Sequence, residues 1–203
     1  MPFCIGVTVE AIREKLADSV VGIAGLGGLG SNVAAALVRT NVGRLVIVDF
    51  DNVEAGNLNR QQYFLDQVGV SKTAASIENL RRINPDVEIV SYNQRLTAEN
   101  IPQIFARTDV IAECFDRPDQ KRMLVETVLG KMNDTVVVSV SGLAGYGGSN
   151  AITTKRICRR LILVGDDESD ADVTNILTAG RVGIAACHQA NAIVEVLLDE
   201  IKA

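Results

Sequence analysis

Short unbroken apolar runs alternate along this chain with stretches of helical composition. Residues 19–24 and 45–49 read as buried strands, and residues 31–41 between them read as a helix. Residues 72–83 predict a helix, with Ser71 as its N-cap and Asn84-Pro85 as its stop. A strand at 87–92, a helix from Thr97 to about 106, a strand at 109–114, a helix at 118–132 and a strand at 135–140 continue the alternation. Continuous apolar strands separated by helices predict an α/β fold: a Rossmann-like, mostly parallel sheet with helices on both faces. The rhythm changes after Ser141, where Gly142, Gly145, Gly147 and Gly148 punctuate a turn-rich stretch. Strand-like pieces at 151–157 and 161–164 are expected to pair antiparallel at one side of the sheet. An acidic loop at 166–172 and a long helix at 182–201 close the pattern, which contains no repeat or linker and predicts one domain over 1–203.

Composition narrows the function. The 203 residues suffice for one domain with its own core. A net charge of −5 argues against binding to phosphate backbones or anionic membranes. With 4% aromatic residues and no Trp, a stacking platform for single-stranded nucleic acid is not expected. There is one His, His188, and the four Cys (Cys4, Cys114, Cys158, Cys187) form no C-x-x-C pair, so zinc is not expected. The cysteines read as reduced, mostly buried thiols. No apolar run reaches transmembrane length and Met1-Pro2-Phe3-Cys4 is not the start of a signal peptide, which makes cytoplasmic residence the default expectation.

The chemistry gathers in four places. Gly25-Leu26-Gly27-Gly28-Leu29-Gly30 lies between a predicted strand and a predicted helix. Such glycines permit a tight turn and close backbone approach to a phosphate, and the helix N-terminus offers unpaired N–H groups to it. Asp49, at the end of the second strand, can accept from ribose hydroxyls. To this point a dinucleotide dehydrogenase fits equally well. Beyond Asp49, Arg60 and then Lys72 follow, and cations so placed suit a triphosphate better than a pyrophosphate. A solvated loop is the bland alternative. Asp116, just past the strand ending at Cys114, could take Mg²⁺ together with phosphate oxygens. With Pro118 behind it, Asp116 also looks like a helix N-cap, and the two roles are compatible.

Taken in order, Gly25-x-Gly-Gly-x-Gly30, Val48-Asp49-Phe50-Asp51, Asn57-Leu58-Asn59-Arg60-Gln61, Gly69 with Lys72, Arg82-Ile83-Asn84-Pro85 and Asp116 resemble the ThiF/MoeB family, bacterial relatives of ubiquitin-activating enzymes. The resemblance covers residues 19–201. It implies an MgATP-dependent adenylyltransferase that activates the C-terminal glycine of a small ubiquitin-like sulfur carrier ending in Gly-Gly. The short, zinc-free form is most similar to ThiF-type proteins of thiamine biosynthesis, and the family implies a homodimer. Carried over by motif, Gly25, Gly27, Gly28 and Gly30 would lie against ATP, Asp49 would bind ribose, and Asn57, Arg60 and Lys72 would contact phosphates. Asp51 matches the motif, and Asp116 would hold the metal. Arg60, Lys72 and Asp116 are the candidate catalytic residues.

The sequence departs from that pattern in two ways. It lacks the paired Cys of longer relatives, and Arg13 lies too close to Gly25 to match the N-terminal Arg that reaches a partner subunit. Two other classes stay open: a nicotinamide-dependent oxidoreductase, which accounts for the glycines and Asp49 but not for Asn57, Arg60, Lys72 and Asp116, and a non-catalytic regulatory half of a heterodimer, which the unmatched N-terminal Arg leaves open. Cys187 falls on a helical stripe with Ile184, Asn191, Val194, Leu198 and Ile201 and reads as packing. Lys155, Arg156, Arg159 and Arg160 form a basic cluster, read either as a solvated strand face or as a seat for an acidic carrier. The acidic loop is either a segment that orders over the carrier tail or a disordered connection.

Overall fold

A computed structural model describes residues 7–169 and 176–199. Seven strands form one sheet: β1 (Val20–Ala24), β2 (Arg44–Val48), β3 (Glu88–Tyr92), β4 (Val110–Glu113), β5 (Val136–Val140), β6 (Thr153–Cys158) and β7 (Leu161–Gly165). Their order is β3-β2-β1-β4-β5-β7-β6. Every neighbouring pair is parallel except β6 with β7, so the expected antiparallel pair forms the edge and β7 continues the parallel sheet beside β5. The chain runs outward from β1 to β3, then returns to place β4 on the other flank of β1. That reversal creates a crevice between the carboxyl ends of β1 and β4, where ligands of open α/β sheets bind.

The helices are α1 (Val9–Asp18), α2 (Gly28–Arg39), α3 (Lys72–Ile83), α4 (Ile101–Ile104), α5 (Pro118–Lys131) and α6 (Ala179–Leu198). Side chains alternate across the strands, as a pleated sheet requires. Val21, Ile23, Leu45 and Ile47 face one layer with residues of α1, α2, α3 and α6. Val46, Val48, Ile111 and Val137 face the other with Ile101, Phe105, Leu124 and Val128. The central strands are thus buried on both faces, which is why they read as continuous apolar runs.

Several expectations change. α1 went unforeseen because only Leu16 in it is fully buried, so its apolar stripe is thin. Its start is set by Thr8, which accepts from the Ala11 amide. α2 opens at Gly28, inside the glycine run, because the turn from β1 dictates the start over weak local propensity. α3 spans the predicted residues, with Ser71 accepting from Ala74 N–H. The helix expected from Thr97 shrinks to Ile101–Ile104: Thr97 and Asn100 exchange side-chain and backbone hydrogen bonds and make a turn instead. Asp116 is not an N-cap. α5 is capped by Arg117, without a side-chain bond.

The cysteines also differ. Cys114 is buried, Cys158 and Cys187 are exposed, and Cys4 lies outside the described residues. The buried residues of α6 include Val182, Ala185, Ala186, Gln189, Ala190, Ile193, Leu197 and Leu198, while Cys187 and Asn191 lie on the outer side. The expected stripe holds at Leu198 and in part at Ile184 and Val194, fails at Cys187 and Asn191 because alanines carry the contact, and ends at Ile201, outside the described residues. Gln189 is fully buried, and its amide donates to the carbonyls of Glu113 (3.0 Å) and Val138 (2.8 Å), beyond the last paired rung of β4 and β5 at Ala112 and Val138. The basic cluster is a solvated edge strand held by local partners. Lys155 pairs with Asp167, Arg156 with Asp199, and Arg160 donates to the final carbonyls of α5 and to Met132. Residues 170–175 of the acidic loop lie outside the described residues.

Candidate nucleotide site

The glycine loop sits where β1 gives way to α2. Gly25 has φ +93°, which an L side chain rarely adopts, and a Cβ on Gly30 would lie 1.8 Å from the Gly25 carbonyl oxygen. These two glycines are required by the turn itself. Gly27 is different: a Cβ there would meet only Gln61 Nε2, at 3.8 Å. On Gly28 a Cβ would meet Val182 at 3.2 Å and the Arg60 stem at 3.5 Å, so Arg60 lies over the start of α2. Among the described residues no acceptor reaches the N–H groups of Gly27, Gly28, Leu29 and Gly30. A helix N-terminus with four free amides and an open side is suited to an anion.

Asp49 is 8% exposed and accepts from Leu26 N–H at 2.6 Å and from Asp51 N–H at 2.8 Å. Burial raises its pKa, opposed by Lys72 and by those two amides. Each carboxylate oxygen still has a lone pair for a ligand hydroxyl. Asp51 holds the Lys72 ammonium at 2.8 Å, and Lys72 N–H donates to Asp51 O at 2.9 Å. The Lys72 ammonium keeps two further donors.

Arg60 donates to Asn57 Oδ1 (3.2 Å) and Asn59 Oδ1 (2.9 Å), while Asn57 Nδ2 donates to Glu54 (3.3 Å). Asn57 therefore orients Arg60. Tyr63 donates to Leu26 O at 2.8 Å and lies 3.0 Å from Ser76 Oγ. The orphaned acceptor Gln61 Oε1 is buried beside this loop.

Asp116 stands two residues beyond Cys114, whose carbonyl carbon and oxygen flank Gly25. It is exposed and makes no hydrogen bond or ion pair with a described residue. No group of three or more His, Cys, Asp or Glu gathers among the described residues. A metal here would rest on one carboxylate and on ligand oxygens, a mode that suits Mg²⁺.

The structure thus joins the glycine loop, Asp49, Asp51 and Lys72 in one bonded set. It places Asn57 and Arg60 over α2 and leaves Asp116 apart, at the end of the neighbouring strand.

Sequence reasoning missed two neighbouring features. Glu113, fully buried, accepts from Ser139 (2.5 Å), Phe115 N–H (2.8 Å) and both-sidedly from Lys121 (3.1 and 3.2 Å). Arg181 pairs with Asp166 and donates to Gly147 O at 2.7 Å, fastening the glycine-rich stretch after β5 to the start of α6. No local pattern announces either. Both are pairings across distant segments.

A family model described as ThiF family matches residues 5–203. The chain belongs to the ThiF family. Over 175 residues it is 34% identical to the sulfur carrier protein ThiS adenylyltransferase of Escherichia coli (strain K12), covering 84% of this chain and 67% of that protein. It is 35% identical over 149 residues to ubiquitin-like modifier-activating enzyme 5 of Oryza sativa subsp. japonica, covering 66% of this chain and only 35% of that longer protein. In fold it is similar to E. coli tRNA N6-threonylcarbamoyladenosine dehydratase, TcdA, solved with AMP. That likeness has a TM-score of 0.86 at 19% identity, over 95% of this chain and 91% of that one. This ThiF family member is adenylyltransferase-like, with the mostly parallel, Rossmann-like sheet expected of it.

Proposed function

We propose that this ThiF family member is an ATP-dependent adenylyltransferase that activates the C-terminal glycine of a small ubiquitin-like sulfur carrier protein, in thiamine biosynthesis. The observation that carries this reading is the bonded set at the crevice. Free amides at Gly27–Gly30, a buried Asp49 with spare acceptor sites and the Lys72 ammonium lie together, with Arg60 over the same helix start. The 34% identity to a ThiS adenylyltransferase supports the choice of carrier. The whole chain acts as one adenylation domain, as a homodimer in the cytoplasm.

In the reaction a carboxylate oxygen of the carrier's terminal glycine attacks the α-phosphorus of ATP. The bond from α-phosphorus to the bridging oxygen breaks, and pyrophosphate leaves. The carboxylate is already ionised at neutral pH, so no general base is needed. The work left to the protein is positioning and charge stabilisation. Asp49 takes the ribose hydroxyls, the glycine-loop amides take phosphate oxygens, and Arg60 and Lys72 offset charge on the leaving pyrophosphate. Asp116 would hold Mg²⁺, which when bound supplies charge neutralisation on the phosphate chain.

Carrier-dependent ATP–pyrophosphate exchange tests this. Exchange is expected only with a carrier ending in Gly-Gly, and Arg60→Ala is expected to abolish nearly all of it. Robust exchange by Arg60→Ala would remove the phosphate role from that residue. Binding of NADH without binding of ATP would overturn the reading.

A further inference from the structure

We propose that the Tyr63 hydroxyl is the positioning group that aims the Gly27 amide at the phosphate chain of the nucleotide. The proposal rests on the nucleotide reading of the crevice but concerns a residue outside the Asn57–Gln61 motif. Leu26 is gripped at both ends of its backbone. Its N–H donates to Asp49 Oδ2 at 2.6 Å, and its carbonyl accepts from the Tyr63 hydroxyl at 2.8 Å. The chain has no cis peptide bond among the described residues, and in a trans peptide the C=O of one residue and the N–H of the next point in opposite directions. Drawing the Leu26 carbonyl toward Tyr63 therefore turns the Gly27 N–H away from it, to a side where no described acceptor reaches. Among the described residues only Gln61, at 3.8 Å, would come within 4 Å of a Cβ at Gly27, so the loop leaves room for a ligand around this residue.

The hydroxyl is itself fixed. Tyr63 is 6% exposed and gives its single hydrogen to Leu26, so Ser76, 3.0 Å away, must be the donor to Tyr63. Ser76 lies one helical turn beyond Lys72, on the same face of α3. Lys72 is held by Asp51, and the Asp51 amide by Asp49. These bonds, together with the turn of α3 that carries both Lys72 and Ser76, close a circuit from the glycine loop through Asp49, Asp51, Lys72, Ser76 and Tyr63 back to the loop. The loop and the lysine are thereby kept in register with each other. Burial pushes the Tyr63 pKa up, which keeps the hydroxyl a donor across the physiological range. Without it the buried Leu26 carbonyl loses its partner, and a glycine at position 27 puts little steric barrier in the way of peptide rotation.

The test is calorimetric titration of wild type and Tyr63→Phe with ATP and with adenosine. Tyr63→Phe is expected to bind ATP about tenfold more weakly while binding adenosine unchanged, since only the phosphates meet the amide. Unchanged ATP affinity in the variant overturns the proposal, as does an equal loss for both ligands. A wild-type protein that binds no ATP overturns the nucleotide reading itself, a result distinct from either. A second measurement needs no variant. In the wild-type protein the Gly27 amide resonance should shift on adding ATP and stay in place on adding adenosine, and a resonance that ignores ATP overturns the proposal.

Discussion

An aspartate follows the carboxyl end of each of β2 and β4, and the protein treats the two in opposite ways. Asp49 is buried, and both of its oxygens are engaged by backbone amides. Asp116 is exposed and has no partner among the described residues. One carboxylate builds the site and shares what acceptor capacity remains. The other is left for whatever arrives. Loss of the buried carboxylate and loss of the exposed one should therefore separate stability from the proposed reaction.

Of these carboxylates, the largest effect is expected at Asp116. Asp116→Ala should lower carrier-dependent exchange about 10²- to 10³-fold, the scale of losing one stabilising contact in a transition state. Its urea midpoint should match wild type. A variant that exchanges at near wild-type rates would end the metal assignment.

Asp49→Ala should act on both axes. Besides weakening ATP binding, it leaves the Leu26 and Asp51 amides without their acceptor, at a cost of about 1–3 kcal/mol in unfolding free energy. Equal stability for the Asp49 and Asp116 variants would erase the contrast.

A third carboxylate at this edge, Asp166, gives a smaller and pH-dependent effect. Burial pushes its pKa up. The Ser169 and Glu168 amides, the Ser169 hydroxyl and Arg181 outweigh that and hold it below the ordinary aspartate value. A carboxyl lowered in the folded state contributes stability that is complete above its unfolded pKa, about 3.9, and is lost as pH falls through the folded value. Acid unfolding of wild type should thus be steeper than that of Asp166→Asn, and parallel curves would show that the Arg181 clasp carries no net stability.

The smallest effect is expected at Cys187. On an exposed helix face, Cys187→Ser should change stability by less than about 0.5 kcal/mol. Cys114→Ser, inside the core, should cost more by the same assay. Comparable losses would restore Cys187 to a packing role.

The sequence carried the site's skeleton because the determining signals are local. A glycine run between a strand and a helix, an acid at a strand end and a serine ahead of a helix each act within a few residues. The same locality explains what stayed hidden. Tyr63 matters through Leu26, 37 residues away, and Glu113 through Ser139, 26 residues away. Nothing near either residue marks the pairing. Local signals also misled. Asp116 before a proline had the form of a cap, yet the cap is Arg117, and periodicity placed Cys187 inward where small alanines had taken the core.

Gln189 has a consequence for assembly. Its amide reaches across to the Glu113 and Val138 carbonyls, from 76 and 51 residues further along the chain. The seam between β4 and β5 at the middle of the sheet is therefore fastened by an element that follows all seven strands. On a ribosome, where earlier segments emerge first, those two strands can pair well before that fastener exists. The fastening of that seam waits for α6 to dock. Chain order thereby delays a fully fastened sheet until α6 has been made.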